Sequence, residues 1–332
     1  KLYRMDTHMA KSAIGIDLGG TNLKGVILNP DGSSRHLTRV PTEAEKGGQK
    51  VLENILLLIR KLLEKEGTSD TINGVGIGSP GFIGSDGVVI GGAENLPGWK
   101  GMQVFAPIKE RFGLNATAGN DVTVAALAES RFGAGRGVDN VVCLALGTGI
   151  GGGIVINGNL YTGSYGMAGE VGHIVVQTDG IPCKCGQKGC AEQYASATGI
   201  ANMARNLCKQ TDQDTPFVQF IRNNPEMVSS KDVYDHVELG DPVAIEVHQQ
   251  SMAMLARLCG ILCNAFAPDR IILGGGVLEA GHIIIEEVNK TIGEHCWEAI
   301  SERCTIVRAE LGEHAGVLGS AQLVFEDKIT QE

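Results

Sequence analysis

Asp17 closes a short apolar run, residues 13–17, and leads into Gly19-Gly20-Thr21-Asn22. Glycines at a turn leave backbone N–H groups uncovered, and a hydroxyl beside them adds a donor. Together they cradle phosphate oxygens. A carboxylate at a strand end beside such a turn is placed to hold Mg²⁺ through its waters. A turn-capping aspartate would sit at the same address, so both readings stay open. Residues 147–153 form a second glycine-rich turn, carrying Thr148 and Gly149. Gly147, Gly149 and Gly152 also satisfy G-x-G-x-x-G, but a dinucleotide fingerprint needs a helix next. Ile154-Val155-Ile156 reads as a strand instead, so a Rossmann site is rejected. No P-loop G-x-x-x-x-G-K-[ST] is present.

His173, Cys183, Cys185 and Cys190 read His-x9-Cys-x-Cys-x4-Cys. Three thiolates and an imidazole complete a tetrahedral Zn²⁺ shell. Cys-x-Cys is tighter than the usual Cys-x2-Cys, but Gly186 and Gly189 let the loop wrap an ion. No open position would remain, so such a zinc is structural. Three loop cysteines without a metal are the plainer alternative. Cys143, Cys208, Cys259 and Cys263 lie in apolar or helical surroundings and read as small core residues.

Asn120 and Asp121 open a helical stretch that reaches Phe132. Both suit a helix cap. A carboxylate there stays ionised beside the helix N-terminus. It also suits a group that takes a proton from a substrate hydroxyl in phosphoryl transfer, where orientation outweighs basicity. Glu170, Glu192, Asn95 and Asn120 are the carboxylates and amides that a polyhydroxylated ligand needs, although each alone reads equally as a surface polar residue. A zinc in the cysteine cluster would fix Glu170, His173 and Glu192 together.

These groups need elements to hold them. Residues 13–17 and 23–28 read as two strands of a hairpin, residues 51–65 as a helix, and residues 72–77 as a strand opening into Gly78-Ser79-Pro80-Gly81. Residues 91–99 are loop-like and 115–118 a short segment before the helix 120–132. Strands follow at 141–146 and 154–156. Residues 198–265 are mostly helical; a strand at 270–273 turns through Gly274-Gly275-Gly276 into a helix, and 316–325 is the last helix. Residues 13–32 and 141–159 share one plan: apolar strand, glycine turn with a threonine, apolar strand, turn. Two such copies predict two related domains, each offering a glycine turn to a shared cleft.

Composition agrees. The chain has 332 residues, 43% hydrophobic and 20% charged, enough for a large core. At roughly 150 residues per domain, two domains are expected. Glycine, 47 of 332, is about twice as frequent as usual. The net charge of -10 argues against nucleic acid and anionic membrane as partners. No apolar run approaches the ~20 residues of a membrane span. Nine cysteines without an apolar leader point to a cytosolic protein with no disulfide framework. Residues 1–10, with His8-Met9, read as a tag and are set aside.

The motifs Asp17-Leu18-Gly19-Gly20-Thr21, Asn120-Asp121, the run from Leu146 to Gly153, Glu170-x-Gly172-His173 and Cys183-x-Cys185-Gly186-x-x-Gly189-Cys190-x-Glu192 resemble the ROK family (repressors, open reading frames and kinases) over residues 13–325. Asn95-Leu96-Pro97-Gly98-Trp99 and Ile272-Leu273-Gly274-Gly275-Gly276 are similar to its bacterial glucokinases. The resemblance implies an α/β fold of the actin-like, ribonuclease-H-like two-domain kind, with the active site in the interdomain cleft. It implies transfer of the ATP γ-phosphoryl group to the 6-hydroxyl of glucose, with Asp121 as the base. Ser79, Gly81, Asn95, Asn120, Glu170, His173 and Glu192 would line or hold the sugar. Gly19, Gly20, Thr21, Asn22, Thr148 and Gly149 would hold phosphates, Gly275 and Gly276 the adenosine, and Asp17 would orient Mg²⁺. His173 would serve twice, one ring nitrogen on zinc and the other toward a sugar hydroxyl.

The expected division is a small domain, 11–119 with a returning helix at 316–330, and a larger one, 120–315, carrying a zinc loop at 173–190. Family members are commonly dimers, so a homodimer is expected. Family repressors carry a DNA-binding module ahead of the phosphate motif, and Asp17 leaves no room for one. Other hexoses and N-acetylhexosamines (mannose, fructose, N-acetylmannosamine, N-acetylglucosamine) and polyphosphate as donor stay open. So does a non-catalytic sugar sensor, although the phosphate residues are all present.

Overall fold

The computed structural model describes residues 11–93, 96–164, 166–280 and 283–326. The expected tag at 1–10, the sugar-side Asn95 and residues 327–330 of the returning helix lie outside the described residues.

The first sheet is built from β1 (Ser12–Leu18), β2 (Asn22–Leu28), β3 (Ser34–Pro41) and β4 (Ile72–Ser79). β5 (Phe82–Ile83) and β6 (Val89–Gly91) form a separate small hairpin, and β7 (Ala116–Asn120) completes the sheet in the order β3-β2-β1-β4-β7. β1–β2 and β2–β3 are antiparallel, whereas β1–β4 and β4–β7 are parallel. The second sheet uses β8 (Val141–Leu146), β9 (Ile150–Ile156), β10 (Asn159–Tyr161), β11 (Arg270–Gly274) and β12 (Thr305–Arg308). Its order is β10-β9-β8-β11-β12, again two antiparallel pairs and two parallel ones. The hairpin repeat seen in the sequence is therefore the start of a repeat that covers two whole sheets.

The helices are α1 (Gly48–Glu66), α2 (Phe105–Phe112), α3 (Asp121–Phe132), α4 (Glu192–Ala195), α5 (Ala197–Gln210), α6 (Pro216–Asn223), α7 (Ser230–Glu238), α8 (Pro242–Phe266), α9 (Gly276–Ala280), α10 (Ile283–Thr291), α11 (Glu298–Ser301) and α12 (Ala315–Glu326). The chain separates into two compact units. Unit 1 takes the chain through Ala128, Gly163–Met167 and the part from Glu313 onward; unit 2 takes Glu129–Thr162 and Ala168–Gly312. Each has its own core. In unit 1, Ile14, Ile16, Leu23 and Ile27 pack with Ile55, Leu58, Ile59 and Leu62 of α1. In unit 2, Leu144, Ile154 and Ile271 pack with α5 and α8 residues such as Ile200, Leu255 and Leu258.

Alternation along β1 decides which residues reach chemistry. Ile14 and Ile16 face the α1 core, so Gly15 and Asp17 face the opposite side of the sheet. There α12 lies so close that added side-chain carbons would collide: a Cβ at Gly15 would sit 2.2 Å from the Val317 carbonyl, and one at Gly76 1.7 Å from that of Ser320.

Two expectations need correction. The glycine turn of unit 2 is only Gly147-Thr148-Gly149; Gly151, Gly152 and Gly153 lie inside β9. Their role is close packing: a Cβ at Gly152 would stand 2.6 Å from the Gly169 carbonyl. The helix expected from Asn120 opens at Asp121, because Ala116–Asn120 is a sheet strand. β3, α2 and β12 were also unforeseen. Past Gly149 the chain enters strand β9 and no helix, as the rejection of a Rossmann site requires. Among the described residues no helix is long and apolar enough to cross a membrane.

Candidate active site

In unit 1 the carboxyl ends of three neighbouring strands converge. Register pairs Asp17 with Gly78 across β1–β4, and Gly78 with Gly119 across β4–β7; one step on, Ser79 pairs with Asn120. Asp121 follows as the first residue of α3. Parallel strands thus bring Asp17, Ser79, Asn120 and Asp121 to one sheet edge, where α/β proteins bind ligands.

Asn120 caps α3: its Oδ1 accepts the Val122 N–H at 3.1 Å and the Thr123 N–H at 3.4 Å. Its Nδ2 donates to the Gly81 carbonyl at 3.5 Å. Asp121 Oδ1 accepts from the Val122 N–H at 2.9 Å. Burial raises the Asp121 pKa, and that N–H pulls it back. Capping is therefore shared, and Asn120 carries the longer reach. Ser79 is fully buried; its Oγ accepts the Trp99 indole N–H at 3.2 Å and donates to the Pro80 carbonyl at 2.9 Å. Ser79 thus anchors Trp99. Gly81 has φ 73°, and a Cβ there would be 2.1 Å from the Gly91 carbonyl. Both line this edge structurally.

Asp17 abuts the first turn of α12. A Cβ at Gly316 would lie 2.8 Å from its carboxyl carbon. Burial pushes Asp17 up to about 6; nearby Lys24 opposes this and Asp121 adds to it. A carboxylate so short of counter-charge, beside an exposed Gly20-Thr21-Asn22 turn, suits a divalent cation. Gly20 has open space on its Cβ side, whereas a Cβ at Gly19 would stand 2.8 Å from the Asn22 carbonyl. Thr42, which the sequence reading missed, holds this turn: its Oγ1 donates to the Gly19 carbonyl at 2.6 Å and its N–H to Thr21 O at 2.9 Å. It lies beyond β3, far along the chain, so no local spacing pointed to it.

Unit 2 has its own turn. Thr148 is exposed, and Gly149 packs against Glu192, whose Oε2 accepts the Ile150 N–H at 3.0 Å. One Glu192 oxygen therefore braces the turn. Gly275, with φ 93°, meets the end of β8 backbone to backbone: a Cβ would come 2.5 Å from the Leu146 carbonyl. Gly276 beside it is open. The two glycine segments therefore adjoin at one sheet edge.

The cysteine cluster assembles next to these groups. A Cβ at Gly172 would stand 2.2 Å from Ile150 O, so residues 169–172 lie flat on β9 and bring Glu170 and His173 alongside. Ligand atoms of His173, Cys183, Cys185 and Cys190 all lie within 4.8 Å of one another. Cys185 and Cys190 sulfurs stand 3.5 Å apart, as do Cys183 Sγ and His173 Nδ1. Sulfurs on one Zn²⁺ at ~2.3 Å stand about 3.8 Å apart, so the donor set and spacing fit. Burial and the neighbouring thiols push Cys190 up to about 12. His173 Nε2 points the other way, 3.8 Å from Glu170 Oε2. Gln193, also missed, donates to Cys183 Sγ at 3.5 Å; its place beside Glu192 was the available signal. Gly189 makes the loop possible: a Cβ there would lie 1.7 Å from the Gln177 carbonyl.

Two sheets of identical order, each with a glycine turn after its first parallel strand, define the actin-like, ribonuclease-H-like class of two-domain α/β proteins. The chain belongs to the ROK family, whose model matches residues 13–327. It is 34% identical to a glucokinase of Halalkalibacterium halodurans over 96% of both chains. A ROK family glucokinase from Streptomyces griseus, solved in complex with glucose and AMPPNP, shares 30% identity and a TM-score of 0.73, covering 94% of this chain and 98% of its own. An N-acetylgalactosamine kinase of a Shewanella species is 30% identical over 93% of this chain and 95% of its own.

Proposed function

We propose that this chain is an ATP-dependent sugar kinase that phosphorylates glucose at the 6-hydroxyl. The observation that carries the reading is the edge of the first sheet, where Asp121 stands at the mouth of α3 beside Asn120 and a phosphate-type glycine turn. The full-length likeness to a glucokinase supports glucose. The likeness to an N-acetylgalactosamine kinase keeps an N-acetylhexosamine as the second reading.

Asp121 accepts the proton of the attacking hydroxyl, and the burial that raises its pKa makes it the stronger acceptor. Asn120 and Asn95 orient sugar hydroxyls, with Ser79 and Gly81 shaping the wall behind them. Glu170, His173 and Glu192 hold the remaining hydroxyls. Backbone N–H groups and hydroxyls of Gly19, Gly20, Thr21, Asn22, Thr148 and Gly149 hold phosphoryl oxygens, and Gly275 and Gly276 admit the adenosine face. Asp17 would hold Mg²⁺, which would supply charge neutralisation on those oxygens. Zn²⁺ on His173, Cys183, Cys185 and Cys190 is structural, because four protein ligands leave no open position.

The test is ADP release with Mg-ATP against glucose, mannose, fructose, N-acetylglucosamine, N-acetylmannosamine and N-acetylgalactosamine. Glucose is expected to lead. Asp121→Asn is expected to cut turnover by about 10²–10⁴-fold with glucose binding by calorimetry retained. Near-normal turnover in that variant would overturn the role of Asp121, and a leading N-acetyl sugar would overturn the substrate.

A further inference from the structure

A charged row crosses the first sheet beside the phosphate-type turn of unit 1. Along β2, Leu23 is buried, and a Cβ at Gly25 would come 2.9 Å from Leu62 of α1, so these two positions face the α1 core. Asn22 and Lys24 alternate to the other side of the sheet, where Asp17 lies. Register pairs Lys24 with Asp17 on β1 and with Arg39 on β3. Side chains paired in this way share a face, with Cβ atoms ~5 Å apart. Lys24 Nζ donates to the Glu313 carbonyl at 3.0 Å and stands 3.2 Å from Glu313 Oε2. Arg39 holds the same carboxylate, its Nη2 donating to each oxygen at 2.9 Å. Glu313 lies just ahead of Gly316, the α12 residue that abuts Asp17.

We infer that Lys24 is a phosphate-binding residue of the donor site, and that Glu313 holds its ammonium group until a nucleoside triphosphate displaces it. The inference rests on the kinase reading above. The glycine turn offers neutral N–H groups and hydroxyls, while Asp17 and Asp121 bring negative charge to the same edge. A magnesium-bound triphosphate still carries net negative charge, and phosphoryl transfer calls for a cation beside its oxygens. The sequence holds no P-loop lysine to supply one. Lys24 follows the turn by two residues and shares the face of Asp17. Its flexible stem lets the ammonium group change partners without movement of β2. The exchange is easy, because the Glu313 side chain is 55% exposed and an ion pair so open to water is weak. Arg39 stays on Glu313, so the carboxylate keeps a partner after Lys24 leaves.

The test is binding of Mg-AMPPNP to the full chain by calorimetry, in wild type, Lys24→Met, Lys24→Arg and Glu313→Gln, each shown folded by its melting curve. Lys24→Met is expected to weaken binding about 10- to 100-fold, the range of a lost charge-assisted hydrogen bond. Lys24→Arg is expected to restore most of it. Glu313→Gln is expected to tighten binding several-fold, because the competing carboxylate is gone. A clasp that only braces the turn gives the opposite sign: Glu313→Gln would then weaken binding as Lys24→Met does. Unchanged or weaker binding in Glu313→Gln, or unchanged binding in Lys24→Met, overturns the inference. If Lys24→Met does not fold, the sign in Glu313→Gln decides. A wild-type chain that takes up no Mg-AMPPNP overturns the kinase reading as well, whereas equal binding by wild type and Lys24→Met removes the role of Lys24 alone.

Discussion

Burial lifts the Asp17 carboxyl to about 6, against 3.8 for an unperturbed aspartate. Between those values the folded chain binds the proton more tightly than the unfolded one. Asp17 therefore weakens the fold as pH rises from about 4 through 6, and the full penalty, about 3 kcal/mol at most, is present near pH 7. Asp17→Asn is expected to melt several degrees higher at pH 7.5 in the absence of Mg-ATP, with the gain shrinking toward pH 4, while phosphoryl transfer is lost. A variant that melts no higher at pH 7.5 would remove the burial penalty on Asp17 from the account. Wild-type turnover is expected to decline below about pH 6, as Asp17 takes up its proton and loses its hold on Mg²⁺; a pH profile of kcat/KM for Mg-ATP checks this. Asp17 and Asp121 were legible in the sequence because each stands at a boundary between an apolar strand and a turn or helix. Thr42 was not, since its partners Gly19 and Thr21 lie across a strand pairing. The bracing of the unit 2 turn by Glu192 was also hidden, because it joins two segments 42 residues apart.

At the scale of elements, glycine content misled as often as it informed. The turns at Gly19-Gly20 and Gly147-Gly149 were legible, but Gly151–Gly153 looked like more turn and are strand. Nothing local separates a glycine that frees N–H groups from one that lets a second backbone approach. β3 was missed because an edge strand buries little; of its eight residues only Val40 is fully inside. The two uses of glycine can be told apart by substitution. Gly76→Ala places a Cβ 1.7 Å from the Ser320 carbonyl and must displace α12, at a cost of about 3 kcal/mol or more, read as lost thermal stability. Gly20→Ala meets nothing within 4 Å, so stability should hold while the Michaelis constant for Mg-ATP rises several-fold. Equal losses of stability in the two variants would contradict this division.

At the scale of the whole molecule, each unit has a separate core. The cysteine cluster belongs entirely to unit 2. Metal analysis is expected to find about one zinc per chain, given four ligands in one shell. Chelation should then lower the melting of unit 2 and leave that of unit 1 unmoved, resolved as two transitions by calorimetry. It should also abolish turnover, since Glu170, His173 and Glu192 are placed by the same loop. A zinc content near zero would remove the metal from the account. The repeat of one sheet order in both units was half legible: two hairpins announced it, but the parallel strands β4, β7, β11 and β12 come from segments with no likeness to one another.

The return of α12 to the first sheet has a consequence for synthesis. The strands of unit 1 leave the ribosome first, yet the helix that covers Gly15 and Gly76 is among the last segments made. Unit 2, drawn almost wholly from residues 129–312, has its full set of strands before that helix exists. The domain begun first is thus finished last, and its uncovered glycine-floored face is the surface a nascent chain must shelter longest.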